Sequence, residues 1–182
     1  MGNIRIREYV LADIDAYAAW QSDPDVARHV SWLPKNHAES LADLLDAIAQ
    51  QAVVPRSRHF FAVVCMNTNK VVGNVGLTVT EPSTGDCGWF ILRVHWGLGY
   101  ATEAAQMLVK HAFQTLRLDR LTASCSVANP ASERVMLKCG FKCIRRSETR
   151  IKCAITRDAW APNAPPFIPA HAAQTRRALI FT

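Results

Sequence analysis

The chain has 182 residues, 49% of them apolar, enough for one sizeable hydrophobic core and too few for two comfortable ones. No run approaches the roughly 18 uncharged apolar residues that span a bilayer, and the opening MGNIRIREYV carries charges where a signal peptide needs an apolar segment. The expectation is one soluble domain over 1–182, cytoplasmic and with no membrane partner. A net charge of +6 suits an anionic ligand, whether a nucleotide-bearing cofactor or an acidic RNA surface, and argues against a polycationic substrate.

In chain order, IRIREY (Ile4 to Tyr9) alternates apolar and charged residues as a half-exposed strand does. Asp13 can cap a helix carrying Ile14, Tyr17, Ala18 and Trp20, which stops near SDPD because Pro24 disfavours helix in the residue before it. RHVSWLPKNH reads as a loop presenting His29 and Trp32. Leu41, Leu44, Leu45 and Ile48 then recur at helical spacing up to about Gln51.

Three strand-like runs follow, His59 to Met66, Lys70 to Thr80 and Asp86 to Val94. The links NTN and EPSTG make them an antiparallel meander. The apolar period then changes to 3.6, with Ala101, Ala104, Ala105, Leu108, Val109, Ala112, Phe113 and Leu116 on one stripe of a helix that begins at Gly97 and Gly99. RLTASCSV is a strand, NPASERVMLKCGF a helix with Pro130 at its first position and Gly140 at its end, and FKCIRRSETRIKC is strand-like again. A proline-rich loop, about 158–175, precedes a last strand, RRALIFT.

The six cysteines form no C-x-x-C pair and lie mostly in apolar runs, as reduced structural thiols do. Cys139 and Cys143 have the i,i+4 spacing of a helical metal pair, but nothing completes the ligand set, so no metal is expected.

The stretch HWGLGYATEA carries the chemistry. A strand that ends in Gly-x-Gly and hands over to a helix leaves several backbone N–H groups unpaired on one side, where the positive end of the helix dipole adds to their pull on an anion. A Cβ at Gly97 or Gly99 would hold a phosphate oxygen off those amides or block a positive φ. G-x-G-x-x-G and G-K-[ST] are absent, so dinucleotide and P-loop readings fail. By itself a Gly-x-Gly corner is as well explained by a tight turn; the second element, VANPASERVMLKCGF, placed one strand later, would supply the other wall of a cleft.

HWGLGYATEAAQMLVKHAF followed by NPASERVMLKCGF resembles the acetyl-coenzyme A signature of the GCN5-related N-acetyltransferases (GNAT), in particular the ribosomal-protein N-terminal acetyltransferases of the RimJ and RimL type. The resemblance runs in element order from IRIREY to Phe141. It implies an α+β fold: a mixed, mostly antiparallel sheet of about seven strands with flanking helices, acting on acetyl-CoA. It also implies that Leu92, Val94, Gly97, Leu98, Gly99, Tyr100, Ala101 and Thr102 bind pantetheine and pyrophosphate, that Asn129 contacts the pantetheine arm, and that Ser132 faces the thiol. The family often has Gln or Arg three residues before the first glycine, where this chain has Val94, and a tyrosine acid four residues after the Ser132 position, where it has Met136.

Acetyl transfer to an amine needs a neutral nitrogen, a donor for the developing oxyanion and a proton for the departing thiolate. Asp86, Glu81 and His95 are the candidate bases, Asp86 being preferred although TGDCG also reads as a turn. Ser132 is the candidate acid, the Val94 N–H the candidate oxyanion donor, and Glu103 a helix-end charge. His29, Trp32 and Trp89 are candidates for the acceptor side, with a core role open for Trp89. The expected acceptor is a small primary amine such as an aminoglycoside-type antibiotic resembling kasugamycin, which would make the enzyme one of antibiotic resistance. The alternatives are the N-terminus of a ribosomal or other protein, and a non-catalytic acyl-CoA sensor. Nucleic acid is disfavoured because no aromatic residue interleaves the arginines from Ile144 to Ala159. Monomer and homodimer both stay open.

Overall fold

The computed structural model describes residues 3–27 and 33–160. A seven-stranded sheet runs in the order β1 (Ile4–Glu8), β2 (Arg58–Cys65), β3 (Val71–Glu81), β4 (Thr84–Ile91), β5 (Arg120–Ser126), β7 (Arg150–Thr156), β6 (Lys142–Arg146). All neighbours are antiparallel except β4 and β5, which pair in parallel over Thr84–Cys87 and Arg120–Ala123. Past Cys87 and Ala123 no pairing joins the two strands, and the sheet splits there.

Helices cover both faces. On one, α1 (Ile14–Ser22) and α3 (His37–Ala49) bury Tyr17, Trp20, Leu44 and Ala47 against Ala62 and Val64. On the other, α4 (Tyr100–Gln114) buries Ala104, Ala105, Leu108, Val109, Ala112 and Phe113, the stripe its 3.6 period announces. α5 (Pro130–Lys138) packs beside it over β5, and the short α2 (Pro24–Ala27) and α6 (Arg157–Trp160) complete the set. β2 reads as continuous apolar sequence because both its faces are covered: Phe61 and Val63 face the α4 core while Ala62 and Val64 face α1 and α3.

Local signals explain the helix ends. Asn36 accepts the Glu39 N–H at 3.0 Å while the Glu39 carboxylate accepts the Asn36 N–H at 2.8 Å, a reciprocal capping box that starts α3. Asp13 does stand at the N-cap of α1, but its carboxylate takes Arg7 at 2.7 Å and the Val10 N–H at 3.0 Å instead of a helix amide. Burial works to raise the Asp13 pKa, but the Arg7 hydrogen bond and the Val10 amide prevail and hold it below its usual value.

Four expectations are corrected. FKCIRRSETRIKC is two strands, β6 and β7, folded back at Ser147–Thr149, because the polar SET segment interrupts an otherwise continuous run. The strand through Val94 ends at Ile91; Arg93–His95 is a 3₁₀ turn that leaves Val94 exposed. Leu45 points to solvent, and Ser40 takes a place on the buried face. Cys139 caps α5 and Cys143 lies in β6, so a helix end separates that pair and their spacing is not helical. Of the proline-rich loop expected at about 158–175, the first three residues belong to the helix α6; its remainder, the RRALIFT strand, His29 and Trp32 lie outside the described residues. No described helix is long and apolar enough to cross a membrane.

Candidate active site

The split between β4 and β5 opens a cavity of about 490 Å³. One wall is β4 from Cys87 to Ile91; the other is Ser124 and Cys125 of β5 with Asn129, Ala131, Ser132, Arg134, Val135 and Lys138 at and along α5. The glycine turn and the start of α4 close one end through His95, Trp96, Gly97, Gly99, Tyr100, Ala101 and Thr102. Val26 reaches the rim from α2, whose Asp25 pairs with Arg93 beside the turn.

Gly97 and Gly99 have φ of +80° and +81°, a region that L side chains rarely adopt, and a Cβ on either would meet nothing within 4 Å. Their hydrogens therefore face open space, with Gly99 at the N-cap of the fifteen-residue α4. This is a concave run of amides at a helix N-terminus, the chemistry that holds a pyrophosphate. The turn is braced by Trp96, whose indole N–H donates to the Ile91 carbonyl at 2.6 Å.

Of the residues implicated by sequence, Gly97, Gly99, Tyr100, Ala101, Thr102, Asn129, Ser132 and Trp89 line this cavity. Leu92, Val94 and Leu98 do not: Leu92 packs on the α1 and α3 core, and Val94 and Leu98 project to solvent from the turn. Asn129 is the N-cap of α5, its side chain accepting the Ser132 N–H at 3.0 Å. Ser132 and Cys125 both line the cavity, on the α5 and β5 sides of the same wall. Tyr100 directs its hydroxyl to Cys65 at 3.7 Å. Met136, in the place of the family's tyrosine, is fully buried in the core and lines neither this cavity nor the one below.

Asp86 sits outside the main cavity. It lines a second one, about 170 Å³, on the α1 and α3 face of the sheet, together with Phe60, Asn74, Gly76, Thr78, Cys87, Gly88 and Phe90. Thr122, buried on the neighbouring strand, donates its hydroxyl to the Asp86 carboxylate at 2.6 Å and fixes its direction. Glu81 stands at the hairpin end of β3 and lines neither cavity. His95 lines the main one, its ring 6.1 Å from that of Tyr100.

Two cations were missed by the sequence reading. Arg134 and Lys138, spaced i,i+4 on α5, line the cavity and supply positive charge at its α5 wall. Of the arginines between Ile144 and Ala159, none lines the cavity: Arg146 pairs with Glu133, Arg157 pairs with Asp119, and Arg150 donates to the cavity-wall Ser124 at 2.7 Å. Glu103 accepts the N–H groups of Asn3 and Ile4 at 3.3 and 3.4 Å, so it ties β1 to α4 in addition to facing the helix dipole.

The sheet opens between two parallel strands above a positive-φ glycine turn at a helix N-terminus, which is the layout the acyltransferase resemblance implies. Residues 3–142 match the family model of the acetyltransferase (GNAT) domain, and the chain belongs to that family. It is similar to the uncharacterized N-acetyltransferase p20 of Bacillus licheniformis, 26% identical over 141 residues that cover 76% of this chain and 79% of that protein. A ribosomal-protein-serine acetyltransferase of Escherichia coli is 31% identical over 85 residues, 44% of this chain and 48% of that one. Among solved structures, spermidine N-acetyltransferase from Vibrio cholerae in complex with CoA and spermine superposes with a TM-score of 0.75 at 15% identity, over 87% of this chain and 98% of that one. The chain is thus an acetyl-CoA-dependent N-acetyltransferase, and its glycine cradle and α5 cations fit the anionic part of that donor.

Proposed function

We propose that the acceptor is the primary amine of a small molecule, with aminoglycoside-type antibiotics, kasugamycin among them, the first to be screened. The observation that carries this reading is the second cavity. It is small, walled by Phe60 and Phe90, and it holds a single carboxylate, Asp86, among its described lining. One carboxylate matches one ammonium, and aromatic walls suit the apolar face of a compact acceptor. Acetyl-CoA would supply the thioester. Asp86, held by Thr122, takes the ammonium proton directly or through a water, and Ser132, beside the β5 wall, gives a proton to the departing thiolate. Backbone amides of the cradle hold the pyrophosphate, with Arg134 and Lys138 adding charge from α5. The main cavity is where the reacting carbonyl is kept from bulk water. Reactions of this kind suit the cytoplasm, where six unbridged thiols stay reduced.

A second reading, acetylation of a protein N-terminus as in the RimJ and RimL type, is favoured by the match to the ribosomal-protein-serine acetyltransferase. A thiol-release screen across aminosugars, polyamines and N-terminal peptides separates the two. Release with aminosugars alone supports the small-molecule reading, and release with peptides alone replaces it. Coenzyme A binding without release for any amine would point to a sensor. With the best acceptor, Asp86→Asn is expected to lower kcat by about 10²- to 10⁴-fold, the usual yield of a general base; near-normal turnover across pH would remove Asp86 from that role.

A further inference from the structure

Each described glycine but one has a structural reason to lack a side chain. Gly97, Gly99 and Gly140 have positive φ. At Gly73, Gly76 and Gly85 a Cβ would lie 2.1 to 2.3 Å from the Phe90 carbonyl oxygen, the Phe60 ring and Leu77. Gly88 has neither reason: its φ is ordinary, and a Cβ there would meet nothing within 4 Å. Glycine inside a strand weakens it and often marks a bulge, a tight bend or a place where a ligand or another backbone comes close; the one register shift between β3 and β4 lies at Val79/Glu81, so no bulge accounts for Gly88.

The position of Gly88 says what comes close. It is the first residue of β4 past the last pair with β5, Cys87 with Ala123, so it stands where the sheet begins to split. It lines both cavities, and only Cys87, Gly88 and Phe90 do so. Across the sheet it pairs with Gly76, which in turn pairs with Phe60, whose ring lies over Gly76. Along the strand Asp86 precedes it by two and Phe90 follows by two on the same face, about 13 Å apart over four strand residues. Phe90 is held by Trp20, stacked at 5.0 Å and 11°. The free space is a slot over Gly88, with a carboxylate at one end, a locked ring at the other and Phe60 at the side.

We propose that Gly88 is the threshold of the acceptor route. An amine enters the second cavity, pairs with Asp86 and crosses above Gly88 into the split, and the missing side chain selects a primary amine carried on an unbranched arm. The second cavity, about 170 Å³ against the roughly 30 Å³ of one liquid water, takes the amine and about five or six heavy atoms. This rests on the small-amine reading and narrows it, turning the enzyme toward aminomethyl and alkylamine groups and away from amines on a branched carbon, so that among aminoglycoside-type acceptors those with an aminomethyl arm are favoured over ring amines such as that of kasugamycin.

The test is a ligand-detected NMR titration of the protein saturated with coenzyme A, using n-butylammonium and tert-butylammonium as probes, for the wild type, Gly88→Ala and Gly88→Val. The expected result is saturable n-butylammonium binding at least tenfold tighter than tert-butylammonium, weakened stepwise by Ala and then Val, with thermal stability no lower in either variant. Equal binding of the two amines, no binding of either, or unchanged binding in Gly88→Val overturns the proposal. So does a Gly88→Val variant whose affinity for coenzyme A falls as much as its affinity for the amine. Thiol release is read in parallel. The expected binding pattern with no release for any small amine leaves the Gly88 route standing and sinks the small-amine reaction. Release undiminished in Gly88→Val does the reverse.

Discussion

Gly99→Ala tests whether the glycine turn serves the ligand or only the fold. An L residue in the left-handed region costs roughly 1–2 kcal/mol. The stiffer unfolded chain of an Ala variant returns about 0.4–1 kcal/mol. The net loss is about 1 kcal/mol, and in a chain of this length each kcal/mol lowers Tm by roughly 2–4 °C. Gly140→Ala serves as the internal control. Its φ is +88°, its Cβ would sit 3.1 Å from Ile155, and it lines no part of the cleft, so it should lose similar or somewhat greater stability. Affinity for coenzyme A should separate the two. At Gly99 the new methyl group stands in the open side of the cradle, and forfeiting one hydrogen bond to a charged group costs about 1.5–3 kcal/mol, or roughly ten- to a hundredfold in Kd. Calorimetric titration of coenzyme A into both variants, alongside thermal melts, gives the comparison. Equal losses of affinity in Gly99→Ala and Gly140→Ala would show that the turn acts through the fold alone, and the cradle argument would fail.

Two further predictions concern stability. The buried Tyr9 hydroxyl donates to Asn74 Oδ1 at 3.0 Å, joining the α1 and α3 core to β3; Tyr9→Phe strands a buried acceptor and should cost about 1–3 kcal/mol in denaturant titration, and a loss below 0.5 kcal/mol would mean that water reaches Asn74. His59 and His111 meet edge to face at 5.9 Å between β2 and α4, and burial first, with Arg56 contributing, lowers both pKa values below 6.5. Their unfolded forms therefore bind protons more readily, so the stability they contribute is complete above about pH 6.5 and is lost as pH falls through the folded values. Melts from pH 7.5 to 5.5 should show falling Tm, less steeply in His111→Phe, whereas a flat wild-type profile would refute the assignment.

The sequence carried the fold wherever a local period or cap decided the outcome. The α4 stripe, the meander and the proline that opens α5 all lie within a few residues of their causes. The expected count of about seven strands agrees with the sheet, yet by a different route. The β6–β7 hairpin supplies two strands where one was read, and the seventh expected strand, RRALIFT, falls outside the described residues. What escaped were contacts across long separations. Glu103 reads as a helix-end charge because nothing nearby shows that Asn3 and Ile4, some hundred residues earlier, need acceptors. Arg134 and Lys138 look like ordinary solvated helix charges until β5 turns their face toward the split. Asp86 was noticed, but the sequence could not separate a turn residue from one that the Thr122 hydroxyl aims; only the parallel register of β4 on β5 does that.

That parallel register has a mechanical side. Within the sheet, β1 through β4 meet β5 through β7 along only four paired residues on each strand, at one end of the split. The rest of the joint is side-chain packing from α4 and α5, whose contact leaves a wedge open along the seam. A ligand held between the β4 and α5 walls of that wedge would touch both leaves at once and work as a tie beam, adding stability that grows with the logarithm of its concentration once the site is filled. The wedge that would receive a ligand is thus the part of the sheet least held by its own hydrogen bonds.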